Sequence, residues 1–184
     1  MPLRITCLAG SLSSPSKTRA LVELAGRRVA ERFGATSAAY DLTDLQPSLG
    51  SAVQLEDLAP EPRAIVGGLL SADALILGSP VYKGSYSGLF KHLFDLIDPA
   101  ALAGKPILLM ATGGGDKHAL VIEHQLRPLF AFFEAATLAT SVYAGSADFI
   151  DGSPVSPALL TRLDRAVAQF EPWLGRRPHT IAAA

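Results

Sequence analysis

Three short apolar runs constrain the fold of this chain most, because each is buried-strand material stopped at once by turn residues. Residues 4–9 (RITCLA) end at Gly10, residues 74–78 (ALILG) at Ser79 and Pro80, and residues 106–111 (PILLMA) at Thr112 and three glycines. A run without alternating polar positions fits a strand covered on both faces, as in a parallel sheet packed between helices. The sequence between the runs supplies those helices. In residues 20–33, Leu21, Leu24, Ala25, Val29 and Phe33 recur at spacings of three and four, while Arg27, Arg28, Glu31 and Arg32 take the other faces. Residues 63–71 give a shorter helix, and residues 87–97 place Leu89, Phe90, Leu93, Phe94 and Ile97 at helical spacing before Pro99 stops them. The helical stretch 118–133 contains Pro128, which must kink or interrupt it, and 159–173 reads as a last amphipathic helix. Two further strands are expected at 37–42 and 136–144, with an irregular connection over 44–62 and a loop over 148–157. The sum is an α/β chain, a doubly wound five-stranded parallel sheet with helices on both faces. One domain is expected over 1–175, with a C-terminal tail at 176–184.

Composition removes several classes of function. The 184 residues are 49% hydrophobic, enough to fill one core. Sixteen Lys and Arg against seventeen Asp and Glu leave a net charge of −1, with no basic excess to neutralise a nucleic-acid backbone. No apolar run approaches the roughly 20 residues that cross a bilayer, and the N-terminus lacks a basic-then-apolar signal, so a cytoplasmic protein without a membrane partner is expected. Cys7 is the sole cysteine, which excludes an intrachain disulfide, and its place in a buried strand makes it a core residue. His92, His118, His124 and His179 show no H-E-x-x-H pattern, so no metal site is expected. No Ser-His-Asp order, paired carboxylates or reactive cysteine forms a catalytic set. Accordingly no catalytic residue is assigned, and the chemistry is left to a bound ligand.

In a doubly wound sheet the ligand sits outside the carboxyl ends of the strands, where the strand order reverses. The loops after the first, third and fourth strands therefore matter most. Loop one, residues 10–18 (GSLSSPSKT), sets Ser11, Ser13, Ser16, Lys17 and Thr18 just before a helix, whose free N–H groups and dipole favour an anion. It reads as a phosphate cradle; the plainer reading is a loop in which one hydroxyl caps the helix. It is not the G-x-x-x-x-G-K-[ST] triphosphate loop, since Ser11 and Ser16 hold the glycine positions, nor G-x-G-x-x-G, since Leu12 and Pro15 do. Loop three carries Pro80, Val81, Tyr82, Lys83, Gly84 and Ser85, a turn able to lay backbone amides along a flat polar ring. Loop four carries Thr112, Gly113, Gly114 and Gly115, where backbone can approach a ligand closely. Together they fit a phosphate-bearing planar molecule, and flavin mononucleotide (FMN) has that shape.

Residues 79–91 (SPVYKGSYSGLFK) with Asp95 and Leu96, supported by 109–115 (LMATGGG) with His118, resemble the NAD(P)H-dependent FMN reductases of flavodoxin-like fold. The likeness is strongest to those supplying reduced flavin to two-component alkanesulfonate and methanesulfonate monooxygenases, and it runs from Ile5 to about Arg165. It implies strand order 2-1-3-4-5, FMN with NADPH or NADH, hydride transfer from nicotinamide to flavin, a partner monooxygenase and a place in sulfonate sulfur assimilation. Many relatives carry an arginine where this chain has Ser13, which leaves Lys17 as the substitute cation. The resemblance also implies a homo-oligomer, dimer or tetramer, built through the 87–97 helix and the helix after strand four. In that second helix His124 corresponds to a position where an inserted residue makes a π-bulge in related reductases. The competing readings are a quinone or azo reductase of the same fold and a non-enzymatic electron carrier. A carrier usually shows a strongly acidic docking face, which a net charge of −1 does not supply.

Overall fold

Alternate residues of each central strand point to opposite faces, so each apolar run feeds two cores at once. In β1 (Arg4–Ala9), Ile5, Cys7 and Ala9 enter one core and Leu8 the other. In β3 (Ala74–Pro80), Ala74 and Ile76 oppose Leu75 and Leu77; in β4 (Pro106–Thr112), Leu108 and Met110 oppose Ile107, Leu109 and Ala111. The first core is closed by α1 (Lys17–Phe33), α5 (Pro157–Ala168) and α6 (Glu171–Leu174). The second is closed by α2 (Pro60–Leu70), α3 (Gly88–Asp95) and α4 (Arg127–Phe132). The computed structural model describes residues 2–175, and the expected tail at 176–184, with His179, lies outside the described residues.

The main sheet is parallel throughout, in the order β2 (Thr36–Asp41), β1, β3, β4, β5 (Ala136–Thr137), with β6 (Val142–Ala144) also paired to β4. This is the flavodoxin-like order, whose switch point lies between β1 and β3. A separate hairpin, β7 (Phe149–Ile150) with β8 (Ser153–Pro154), follows β6. Among the described residues no helix is long and apolar enough to cross a membrane.

The structure departs from the sequence reading at several places, among them the expected loop over 148–157, which holds the β7–β8 hairpin. The fifth strand, expected unbroken over 136–144, splits into β5 and β6 because side chains replace ladder partners between them. Arg127 Nη1 donates to the Leu138 carbonyl at 3.0 Å, Gln169 Oε1 accepts from the Thr140 N–H at 2.8 Å, and Arg162 Nε donates to the Ser141 carbonyl at 2.7 Å. The last helix breaks at Gln169 and Phe170, since Pro172 lacks an N–H and its ring would strike the carbonyl four residues back. The connection expected to be irregular over 44–62 is largely ordered: 3-10 turns at Leu42–Leu45, Ser48–Ser51 and Leu55–Asp57 lead into α2 at Pro60, and Leu42, Leu45, Leu49 and Leu58 along it enter the second core.

At the carboxyl ends of β1 and β3 two glycines lie side by side, with the Gly10 N–H donating to the Gly78 carbonyl at 2.6 Å. A Cβ on Gly78 would lie 2.7 Å from a Val22 methyl of α1, and one on Gly10 would lie 2.7 Å from the Phe90 ring of α3. Gly78→Ala must therefore push α1 off the sheet. It is expected to destabilise by about 1–3 kcal/mol, the usual cost of overpacking, read as a lowered urea midpoint at unchanged slope.

Candidate functional site

Loop one turns into α1 at Ser16, whose Oγ caps the helix by accepting the Arg19 N–H at 3.1 Å. Ala20 N–H bonds the Ser16 carbonyl, which leaves the first-turn N–H groups of Lys17 and Thr18 without intrahelical partners. Ser11 is buried, and its Oγ accepts the Ser13 N–H at 3.2 Å. Each serine hydroxyl thus accepts one backbone N–H and keeps its own proton to donate, so capping and ligand binding coexist. Thr18 and Thr112 are buried and share a hydroxyl hydrogen bond of 2.7 Å, which ties loop one to the end of β4.

Ser11, Ser13, Ser16, Lys17, Thr18, Pro80, Tyr82 and Thr112, with Pro15, line one cleft of about 260 Å³ at the carboxyl edge. Among these lining residues there is no carboxylate; hydroxyls, helix N–H groups and the Lys17 ammonium make it a donor set suited to a dianion. The ammonium of Lys17 sits 5.5 Å over the Phe149 ring, so the β7–β8 hairpin flanks the cleft. Arg19, on the same helix turn, is unavailable to a ligand. Its guanidinium binds Glu23 at 2.9 Å, Asp41 at 2.9 Å and Asp44 at 3.0 Å, and hydrogen bonding to Asp41 and Glu23 pushes its pKa further up.

The rest of the expected set lies on the two neighbouring turns. Val81 N–H donates to the Thr112 carbonyl at 2.8 Å, carrying the β3–β4 pairing into loop three. Tyr82, Lys83, Gly84 and Ser85 then form a tight turn with positive φ at Lys83 (52°) and Gly84 (82°). Ser87 fastens its return, donating through Oγ to the Gly10 carbonyl at 2.6 Å and through N–H to Ser79 Oγ at 3.0 Å. In loop four, Gly113 N–H donates to the Ala144 carbonyl at 3.1 Å, and a side chain on Gly113 would collide with the Tyr143 hydroxyl. Gly114 and Gly115 have open space where a Cβ would stand.

Sequence reasoning missed Tyr143, whose hydroxyl donates to the Gly115 carbonyl at 2.6 Å and fixes the glycine turn. Burial, then the Asp116 and Asp148 carboxylates, push its pKa up, so it remains a donor. The only signal was its place near the carboxyl end of the fifth strand. The segment at His124 is a π-helix, Ile122–Leu126, in which the Arg127 N–H bonds the Ile122 carbonyl five residues back. His124 itself is exposed on it.

Residues 3–149 match the NADPH-dependent FMN reductase family. Along its whole length the chain is 41% identical to a Pseudomonas aeruginosa protein described as FMN reductase (NADPH), over 183 residues and 98% of that relative. It is 43% identical over 174 residues to the NADH-dependent FMN reductase SfnF of Pseudomonas fluorescens, covering 95% of this chain and 93% of that one. Among solved structures, the apo form of the NADH:FMN oxidoreductase EmoB superposes with a TM-score of 0.80 at 30% identity, over 97% of this chain and 93% of the other. The chain belongs to the NADPH-dependent FMN reductase family. Its activity is the NAD(P)H-dependent reduction of FMN, and FMN and a reduced nicotinamide are the small molecules it handles.

The acid limb of stability tests the Arg19 anchor. Burial alone would raise the Asp41 carboxyl, but hydrogen bonds from Thr43 and Arg19 outweigh it and hold the group below the ordinary carboxylate range. A depressed pKa gives stability that is present above the unfolded value of about 4 and is lost as pH falls through the folded value. Asp41→Asn should therefore be less stable at pH 7 and lose less on acidification below about pH 4, as measured by urea melts across that range.

Proposed function

We propose that this reductase binds FMN with its phosphate in the loop-one cleft and its ring between loops three and four, and releases reduced flavin to a partner flavin-dependent monooxygenase. The observation that carries this reading is the cleft itself, with hydroxyls, an ammonium and helix N–H groups but no carboxylate among its lining residues, and with its rim exposed at Ser13, Pro15, Lys17 and Tyr82. Such a rim lets a ligand exchange. Ser11, Ser13, Ser16, Lys17 and Thr18 serve the phosphate, through hydroxyls, helix N–H groups and one ammonium. Pro80, Val81, Tyr82, Lys83, Gly84 and Ser85, with Thr112, Gly113, Gly114 and Gly115, serve ring and ribityl through backbone. Flavin supplies the redox chemistry, accepting hydride from nicotinamide, so the protein's work is to orient the two molecules and need not include an acid or base. The likeness to NADH-dependent FMN reductase SfnF and the resemblance to sulfonate-system reductases support a role in sulfonate sulfur assimilation, and a cytoplasmic location is part of the same proposal. Sulfite release by a sulfonate monooxygenase, driven by this protein with NAD(P)H and FMN, tests that role; its absence while FMN is still reduced rejects it.

The same reading includes a homo-oligomer, a dimer or tetramer. Between α3 and α4 runs an apolar groove of about 400 Å³ lined by Phe94, Ile97, Pro99, Leu129, Phe132 and Phe133, with Lys91 and Asp95 paired at its edge. Phe132 is 72% exposed there, more surface than a phenylalanine normally leaves in water. Phe132→Asp should dissociate the assembly in light scattering, and a wild-type protein that is monomeric at micromolar concentration ends this part of the proposal.

Binding experiments separate capping from ligand contact. Ser11→Ala should weaken FMN binding by about 1.5–3 kcal/mol, the worth of one hydrogen bond to a charged acceptor. Ser16→Ala should do the same and also lower stability by about 1 kcal/mol through the lost cap. Flavin-fluorescence titrations with parallel urea melts give both numbers, and unchanged FMN affinity in both variants rejects the cradle.

A further inference from the structure

Of the site's pieces, the Tyr82–Ser85 turn has the least support. Its two backbone hydrogen bonds are made to itself, Tyr82 N–H to the Ser85 carbonyl at 2.9 Å and Ser85 N–H to the Tyr82 carbonyl at 3.1 Å. Both inner residues have positive φ, a conformation that glycine adopts freely and a lysine only at a cost. Among the described residues, one side-chain hydrogen bond ties these four residues to the rest of the chain: Ser85 Oγ donates to Gln125 Oε1 at 3.1 Å.

Gln125 stands where it does because of the π-turn. Val121 and Ile122 before it and Leu126 and Phe130 after it are buried, so both flanks of the segment are pinned in the core. The extra residue of the wide turn must then be taken up between them, and Glu123, His124 and Gln125 all face outward. A second clamp holds that register. Glu123 accepts from Arg127 Nε at 2.6 Å, Arg127 Nη2 at 3.0 Å and Ser141 Oγ at 3.0 Å, while Arg127 Nη1 donates to Thr137 Oγ1 at 2.9 Å. The hydrogen bond from Arg127 holds the Glu123 carboxyl below its usual range, which keeps the clamp charged. With an ordinary α-turn here, the residues before it would rotate by about 100° relative to those after it. Gln125 would then be carried away from Ser85.

We infer that Gln125 is a positioning residue of the flavin site: presented by the π-turn, it holds the Tyr82–Ser85 turn in its binding shape before the ligand arrives. Its amide oxygen acts through Ser85 and need not touch the ligand. The inference rests on the reading that loop three meets the flavin ring. Ordering the turn in advance removes part of the entropy cost of binding, so its loss weakens affinity without removing any ligand contact.

The test uses the full chain and two readouts, amide hydrogen exchange at Tyr82 and Ser85 in flavin-free protein and the FMN dissociation constant from fluorescence quenching. Gln125→Leu, similar in size but without an acceptor, should speed exchange at both amides and raise the dissociation constant, each by about 3- to 10-fold, as for one neutral hydrogen bond. Gln125→Glu, which retains an acceptor oxygen, should restore slow exchange in the flavin-free protein. Ser85→Ala should match Gln125→Leu, and the double variant should be no worse than either single one. Unchanged exchange in Gln125→Leu, or fully additive effects in the double variant, overturns the inference. Wild-type protein that fails to bind FMN overturns the underlying reading instead, and the exchange data still decide the role of Gln125.

Discussion

The carboxyl edge of the sheet depends on how closely two helices approach the ends of β1 and β3. At Gly10 and Gly78 there is no room for a Cβ, and the backbone hydrogen bond between them is the last rung before loop one departs. Because α1 seats against Gly78, its N-terminus is level with the strand ends, and its free N–H groups open into the cleft. Because α3 seats against Gly10, Ser87 at its start reaches back to the Gly10 carbonyl and closes loop three onto loop one. Two missing methyl groups thus bring the loops to one level, and the hydroxyls then have a common point to converge on.

Charge at this edge is used sparingly. Arg19 would be the strongest phosphate ligand on α1, but three carboxylates occupy it, and it serves to hold the end of β2 against the helix. Lys17 remains as the cation lining the cleft, partly engaged with the Phe149 ring. The other polar groups lining it are neutral hydroxyls and helix N–H groups. An exposed single cation is screened by solvent and adds little beyond hydrogen bonds.

The parts of the fold that were legible in sequence are those set by local chemistry. The apolar runs at 4–9, 74–78 and 106–111 could be read as strands because burial on both faces leaves no polar position in them. Loops one, three and four could be placed at the carboxyl edge of the sheet because glycine, serine and proline must gather where such strands stop. The missed features rest on contacts between distant residues. Nothing near Leu138 or Thr140 says that Arg127 and Gln169 will take their backbone partners and break the strand. Tyr143 looked like strand filling until the fold brought its hydroxyl to Gly115, 28 residues away in sequence. The π-turn was foreshadowed only by likeness to relatives, since Glu123, His124 and Gln125 suit the wet face of an α-helix equally well.

The broken fifth strand also governs how the molecule behaves in a crowd. A sheet edge offers unpaired N–H and C=O groups that can template another chain. On the β5–β6 side that row is cut to pieces of two and three residues, and Arg127, Arg162 and Gln169 have already taken backbone groups in the gap. Edge-to-edge aggregation is therefore blunted on that side. The six-residue β2 is left as the unbroken edge among the described residues. Its first three residues, Thr36, Ser37 and Ala38, are small and exposed, so strand addition there has little apolar surface to gain.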